Sequence, residues 1–219
     1  FANLVDAAIE RLNLKGIGVS GFIMETFPSV GGQIIPPNGY LEQVYNKIRK
    51  QGGVCIADEV QTGLGRLGKY YFGFEVQDVK PDIVVLGKPL GNGHPIGAVI
   101  TTREISQSFD NGIEFFSTFG GSNLSCRIGT EVLDIVDDEK LQKNAKTVGD
   151  FLISRFHELK KKFDFIGDVR GMGLFIGVEI IGSDGSENSE LEKASSAPLV
   201  ISGGSGGSDE ISARLYERG

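Results

Sequence analysis

The 219 residues carry 22 Lys and Arg against 29 Asp and Glu, a formal charge of −7, with 40% hydrophobic and 23% charged residues. That balance is ordinary for a globular chain, long enough for one large domain or one domain and part of another. It argues against broad contact with nucleic acid or an anionic membrane, and no apolar run approaches the roughly 20 residues that span a bilayer. The two cysteines, Cys55 and Cys126, make neither a disulfide framework nor a four-ligand metal set. Cys55 lies in an apolar run and reads as a buried reduced thiol, which favours a reducing compartment. No initiator Met precedes Phe1, so the natural amino terminus is expected to lie upstream, and the location is read as cytoplasmic or mitochondrial.

From residue 1 to 181 apolar runs alternate with helical patterns, the mark of an α/β layer fold. Residues 1–12 read as a helix with Leu4, Ala7, Ala8 and Leu12 on one side. A short strand is expected at 19–24, ending at Glu25. A turn-rich stretch with Gly31-Gly32 and Pro36-Pro37 precedes a helix at 40–50, which Gly52-Gly53 stops. Val54-Cys55-Ile56-Ala57 is apolar without alternation, as in a strand covered on both faces. Strands are also expected at 82–86 and 96–101. The link at 87–95 is too short for a parallel crossover of about a dozen residues, so this pair should run antiparallel in an otherwise parallel sheet. Helices are predicted at 103–109, 125–136 and 139–162, then a glycine-punctuated strand at 170–181. The Gly/Ser/Glu-rich stretch at 182–208 reads as a linker, and 209–219 as the start of a helix capped by Asp209.

Asp58 falls at the carboxyl end of one apolar strand and Lys88 just past the end of another. Ligands of open α/β sheets bind outside such ends. The pair reads either as structural charges (a salt bridge, or two unrelated strand-end charges) or as an acid and an amine serving one ligand. Chemistry favours the second reading. A nucleophilic lysine needs a rigid, dry mounting, and a strand followed by Gly87, Lys88 and Pro89 offers one. A buried Asp58 needs a cationic partner to offset its desolvation, and a protonated pyridine nitrogen is such a cation.

Other features are weaker. Gly63-Leu-Gly65-Arg-Leu-Gly68 matches the dinucleotide fingerprint, and Gly63 to Lys69 most of a phosphate loop. Both need a helix to begin there, whereas Tyr70-Tyr-Phe-Gly-Phe74 follows, so a tight surface turn is expected instead. Ser117-Thr118-Phe119-Gly120-Gly121-Ser122 could bind phosphate or simply cap the next helix. His94 reads as a base or as a structural turn residue, His157 as solvated, and Glu25 as a candidate for substrate contact.

Taken together, Gly-Gly-Gln-Ile-Ile-Pro-Pro at 31–37, Ala-Asp-Glu-Val-Gln-Thr-Gly at 57–63 and Gly-Arg-Leu-Gly-Lys at 65–69 resemble class III (ornithine-type) aminotransferases, which depend on pyridoxal 5′-phosphate (PLP). So do Pro-Asp-Ile-Val-Val-Leu-Gly-Lys-Pro at 81–89, Gly-Asn-Gly-His-Pro at 91–95 and Gly-Asp-Val-Arg-Gly-Met-Gly-Leu-Phe at 167–175. The wording is most similar to the alanine–glyoxylate aminotransferase 2-like and ethanolamine-phosphate phospholyase branch. The resemblance implies the three-layer PLP fold type I, with residues 1–165 in the central part of the large domain and 166–181 opening a smaller α+β domain. It implies that Lys88 carries PLP as a Schiff base and moves the proton, that Asp58 pairs with the pyridine nitrogen, and that Gln61 contacts the ring hydroxyl. It also implies that Thr118 reaches the cofactor phosphate of a neighbouring subunit, hence a homodimer with shared sites. Amino transfer between a small-molecule donor and a keto acceptor is the activity implied, with phosphate elimination or an inactive fragment as the alternatives. Where the family reads Phe-Gly-Gly-Asn-Pro after the threonine, Ser122-Asn123 stand here. The stretch at 182–208 has no evident family counterpart, and the family's amino-terminal and carboxy-terminal parts are expected to lie outside this sequence.

Overall fold

A computed structural model describes residues 1–181; the linker and truncated helix expected at 182–219 lie outside the described residues. Helix α1 (Asn3–Leu14), strand β1 (Gly21–Glu25), helix α2 (Tyr40–Lys50) and strand β2 (Val54–Asp58) open the fold. Strands β3 (Ile83–Leu86) and β4 (Ala98–Thr101) complete a four-stranded sheet in the order β1-β2-β3-β4. The first three strands run parallel and β4 is antiparallel to β3, as the short link requires. Helices α3 (Arg103–Phe109), α4 (Asn123–Asp138) and α5 (Leu141–Lys160) follow, then strands β5 (Ile166–Met172) and β6 (Phe175–Ile180). The single strand expected at 170–181 is thus an antiparallel hairpin. Gly173, at a φ of +58°, turns the chain in the middle of what the sequence offered as one glycine-punctuated strand.

Helix α2 shows why its residues form a helix. Leu41, Val44, Tyr45 and Ile48 recur at helical spacing and are all buried, while Lys47, Arg49 and Lys50 crowd its last turn, where the helix dipole favours cations. That apolar stripe packs with Ile9 of α1 against Cys55, beside Phe22 and Met24. Each such side chain stabilises the fold by roughly 2 kcal/mol. Further along the same sheet face, Val84 and Leu86 pack against Leu64, Leu90, Ile96 and Leu133 of α4. Asp82 ties the layers together. Its carboxylate accepts the Cys55 amide at 2.7 Å and two Arg49 donors at 3.0 and 3.2 Å.

The other face carries Ile23, Glu25, Ile56, Asp58, Val85 and Val99, which share a side by register and alternation. Ile23 is 63% exposed and Val99 67%, so among the described residues the third layer over this face is not formed. The hairpin has its own core, in which Ile166, Val169, Ile176 and Val178 pack on Leu152, Ile153 and Phe156 of α5. Phe27, Leu67 and Phe175 join it to the sheet region.

The glycine-rich stretch at 63–68 is a correction. It is buried rather than a surface turn. A Cβ on Gly68 would stand 2.6 Å from Lys146 Cα, and one on Gly65 2.9 Å from Gln142 Cβ. The glycines there let α5 press against the loop, and no helix begins at them.

Candidate functional site

Three of the sequence-predicted residues meet at one sheet edge. Glu25 and Asp58 end adjacent parallel strands and are directly paired in register. Asp58 is also paired with Val85 on β3, three residues before Lys88. All three stand at the carboxyl ends of parallel strands, where backbone polarity and loop freedom converge. Asp58 is half-buried and its Oδ1 accepts the Val60 amide at 3.0 Å, which fixes the carboxylate. Gln61 follows in the same turn, also half-buried. Glu25 Oε2 accepts the Ser29 amide at 3.1 Å and the Ser29 hydroxyl.

Lys88 sits at a φ of +34° in the left-handed region, opening a short 3-10 turn to Leu90. Such a backbone costs a non-glycine residue about 1–3 kcal/mol and is held by its surroundings. Here Gly87 precedes in extended conformation, Pro89 follows, and Leu90 is buried against the sheet core. The rigid mounting expected for Lys88 is present. The dry one is not, because Lys88 is exposed among the described residues. Nor do Asp58 and Lys88 form a salt bridge with each other or with any described residue. The salt-bridge reading of that pair is therefore not supported.

Thr118 is apart from this edge, on an exposed loop between α3 and α4. Ser117 Oγ accepts the Gly120 amide at 2.9 Å, while Ser122 leads into α4 without a side-chain cap. Capping therefore does not explain these hydroxyl residues. His94 Nε2 lies 2.9 Å from Ser125 Oγ, which joins the loop after Lys88 to the first turn of α4. His157 is exposed on α5, as expected. Among the described residues no cluster of three or more His, Cys, Asp or Glu is arranged to hold a metal, and no helix is long and apolar enough to cross a membrane.

Sequence reasoning missed Glu59. It is fully buried at 0% exposure and accepts four hydrogen bonds. Thr26 Oγ1 donates at 2.7 Å, Thr62 Oγ1 at 2.6 Å, and the Gly73 and Phe74 amides at 2.8 and 2.9 Å. Burial pushes its carboxyl above the ordinary range, and the four donors pull it partly back. No sequence pattern signals such a site, because its donors come from three separate segments. Arg170 was legible only as part of a motif. Its guanidinium donates to the Gly32 carbonyl at 2.8 Å and to Asp168 and Glu179 at 2.8 and 2.9 Å, so it fastens the hairpin to the loop after Glu25.

An α/β fold whose acidic and amine side chains gather at the carboxyl edge of a parallel sheet defines a class of ligand-handling enzyme folds rather than one protein. The family is given by comparison. The class-III aminotransferase family model matches residues 2–208, and the chain belongs to that family. The match runs through the 182–208 stretch, where the sequence had suggested no counterpart. The chain is 49% identical over 182 residues to the alanine–glyoxylate aminotransferase 2-like protein of Drosophila melanogaster, covering 83% of this chain and 37% of that protein. It is 46% identical over 163 residues to human mitochondrial alanine–glyoxylate aminotransferase 2, covering 74% and 32%. A phospholyase from Arthrobacter, solved with phosphoethanolamine, superposes with a TM-score of 0.81 at 43% identity, over 85% of this chain and 44% of that one. Another similar structure is taurine:2-oxoglutarate aminotransferase of Bifidobacterium kashiwanohense with PLP and glutamate, at a TM-score of 0.76 and 26% identity over 90% and 46%. The chain thus spans about a third of the length of these curated relatives.

Proposed function

We propose that this chain carries the cofactor-holding centre of a PLP-dependent aminotransferase. The observation that carries the reading is the placement of Asp58 and Lys88 at the carboxyl ends of adjacent parallel strands. The residues fit the group. A fixed carboxylate with no ion pair among the described residues suits a protonated pyridine nitrogen, and an amine on the next strand suits the aldehyde carbon. PLP, when bound, supplies an electron sink that labilises bonds at the amine-bearing carbon of a substrate. Lys88 Nζ would hold the cofactor and would be the amine that carries a proton to and from that carbon. Asp58 orients the ring and keeps its nitrogen protonated, while Gln61 contacts the ring hydroxyl. Thr118 binds the cofactor phosphate of a neighbouring subunit, and Glu25 faces the substrate side of the site. The hairpin at 166–181 begins the smaller domain.

A homodimer sharing its sites follows from the Thr118 role. The exposed Phe109 at the end of α3 and the exposed Ile113, Phe115, Phe116 and Phe119 on the loop that follows support it, since exposed large apolar side chains gathered along one stretch suit an interaction surface. A mitochondrial or cytosolic location is proposed, the first supported by the name of the human relative; fractionation of cells making the full-length protein decides between them.

Phosphate elimination from an amino-alcohol phosphate is the second reading, favoured by the similarity to the Arthrobacter phospholyase. Both readings require a visible absorption band when PLP is added to the full-length protein, abolished by Lys88→Ala. Absence of the band overturns both. A keto-acid requirement then identifies transamination, and phosphate release without an acceptor identifies elimination.

A further inference from the structure

Each residue proposed for the site on β1, β2 and the following turn immediately precedes a member of the buried Glu59 cage. Glu25 precedes Thr26, Asp58 precedes Glu59, and Gln61 precedes Thr62. At a strand end, consecutive side chains point to opposite faces. Asp58 lies on the open face with Glu25, while Glu59 turns into the protein, so the cage sits directly behind the site. The backbone joins the same points. Thr26 N donates to the Asp58 carbonyl at 3.2 Å, Glu59 N to the Val85 carbonyl at 2.9 Å, and Gly63 N to the Glu59 carbonyl at 2.9 Å. Space is tight there, since a Cβ on Gly73 would lie 2.9 Å from Thr26 Cγ2 and 3.0 Å from Thr62 Oγ1.

From this geometry we propose that Glu59 is a positioning residue, whose carboxylate clamps Thr26, Thr62 and the 73–74 backbone so that Asp58, Gln61 and Glu25 keep fixed positions around the cofactor ring. The proposal rests on the PLP reading of the site. Glu59 touches neither cofactor nor substrate. Its four donors are two hydroxyls and two amides, a set that accepts no amide NH2 group without losing a bond. Glu59→Gln therefore turns part of the cage from attraction to repulsion while keeping its volume.

The test uses the full-length protein and two readouts that a merely stabilising role does not move. These are the pH midpoint of the visible band of lysine-bound PLP and the dissociation constant for PLP, both measured well below each variant's Tm. Glu59→Gln is expected to shift the midpoint by about half a pH unit or more and to weaken PLP binding roughly tenfold. Thr26→Val and Thr62→Val, each removing one donor and leaving Asp58 untouched, are expected to shift it less and in the same direction. If Glu59→Gln does not fold, the two Thr variants decide. Folded variants with the wild-type midpoint and affinity, differing only in Tm, overturn the proposal. A wild-type protein that shows no band overturns the PLP reading itself, which is a different result.

Discussion

Glu59 also has a consequence for stability at the level of a single residue. Its folded carboxyl titrates above the ordinary glutamate range because of burial. In the window between the ordinary and the raised value, the native state holds a proton that the unfolded chain has released. Stability contributed by this group is therefore greatest at low pH and falls as pH rises through that window, by at most about 1.4 kcal/mol per pH unit. Glu59→Gln is expected to flatten that part of the curve, read as urea midpoints across the acidic range. Asp168 has the opposite sign. Burial alone would raise it, but Arg170 and the Val169 amide outweigh that and hold it below the ordinary aspartate value. Its contribution is present above the ordinary value and is lost as pH falls through the lowered one. Asp168→Asn should remove that acid sensitivity, read by the same urea titration. Cys55 is a case where the sequence served well. Its apolar setting signalled a buried thiol, and burial pushes that thiol up to about 11, so it stays protonated and inert at neutral pH. Glu59 could not be found the same way. Beside Asp58 at the strand end, Glu59 alone carries no local sign of burial, and only folding brings Thr26, Thr62, Gly73 and Phe74 to it.

Among the elements, the strands and α2 were legible because their patterns are local. The four apolar residues of α2 repeat at helical spacing, and the short link after β3 leaves only an antiparallel partner. The hairpin of β5 and β6 was read as one strand because glycines punctuate the whole stretch, and nothing local marks Gly173 as the one that turns the chain. The buried loop at 63–68 was misread for a related reason, since glycine signals a turn but not what presses on it. Gly68→Ala tests the packing account directly. With a φ of +74° and Lys146 Cα at 2.6 Å from the new methyl, it should destabilise the full-length protein by at least about 2 kcal/mol, seen as a lower urea midpoint. An unchanged midpoint would mean that α5 does not press on this loop. Arg170 acts between elements in a similar way, holding the hairpin to the loop after Glu25 through the Gly32 carbonyl.

For the whole molecule, the exposed sheet face and the phenylalanine-rich loop bear on assembly. The homodimer is an implication of the resemblance, which no periodicity in the sequence could indicate. Exposure of Phe115, Phe116 and Phe119 above 70% is what an interface awaiting a partner looks like. If the proposed dimer forms through this loop, Phe116→Glu in the full-length protein is expected to shift sedimentation from dimer to monomer and to lower PLP affinity, because the proposed Thr118 contact to the neighbouring subunit's cofactor is then lost. A monomeric wild type would contradict the shared-site proposal.

Lys88 as the residue that holds the cofactor is open to chemical trapping. Borohydride added to the PLP-treated full-length protein should bleach the visible band and leave a phosphopyridoxyl mass on the peptide containing Lys88. Label on another lysine, or no label at all, would contradict the account.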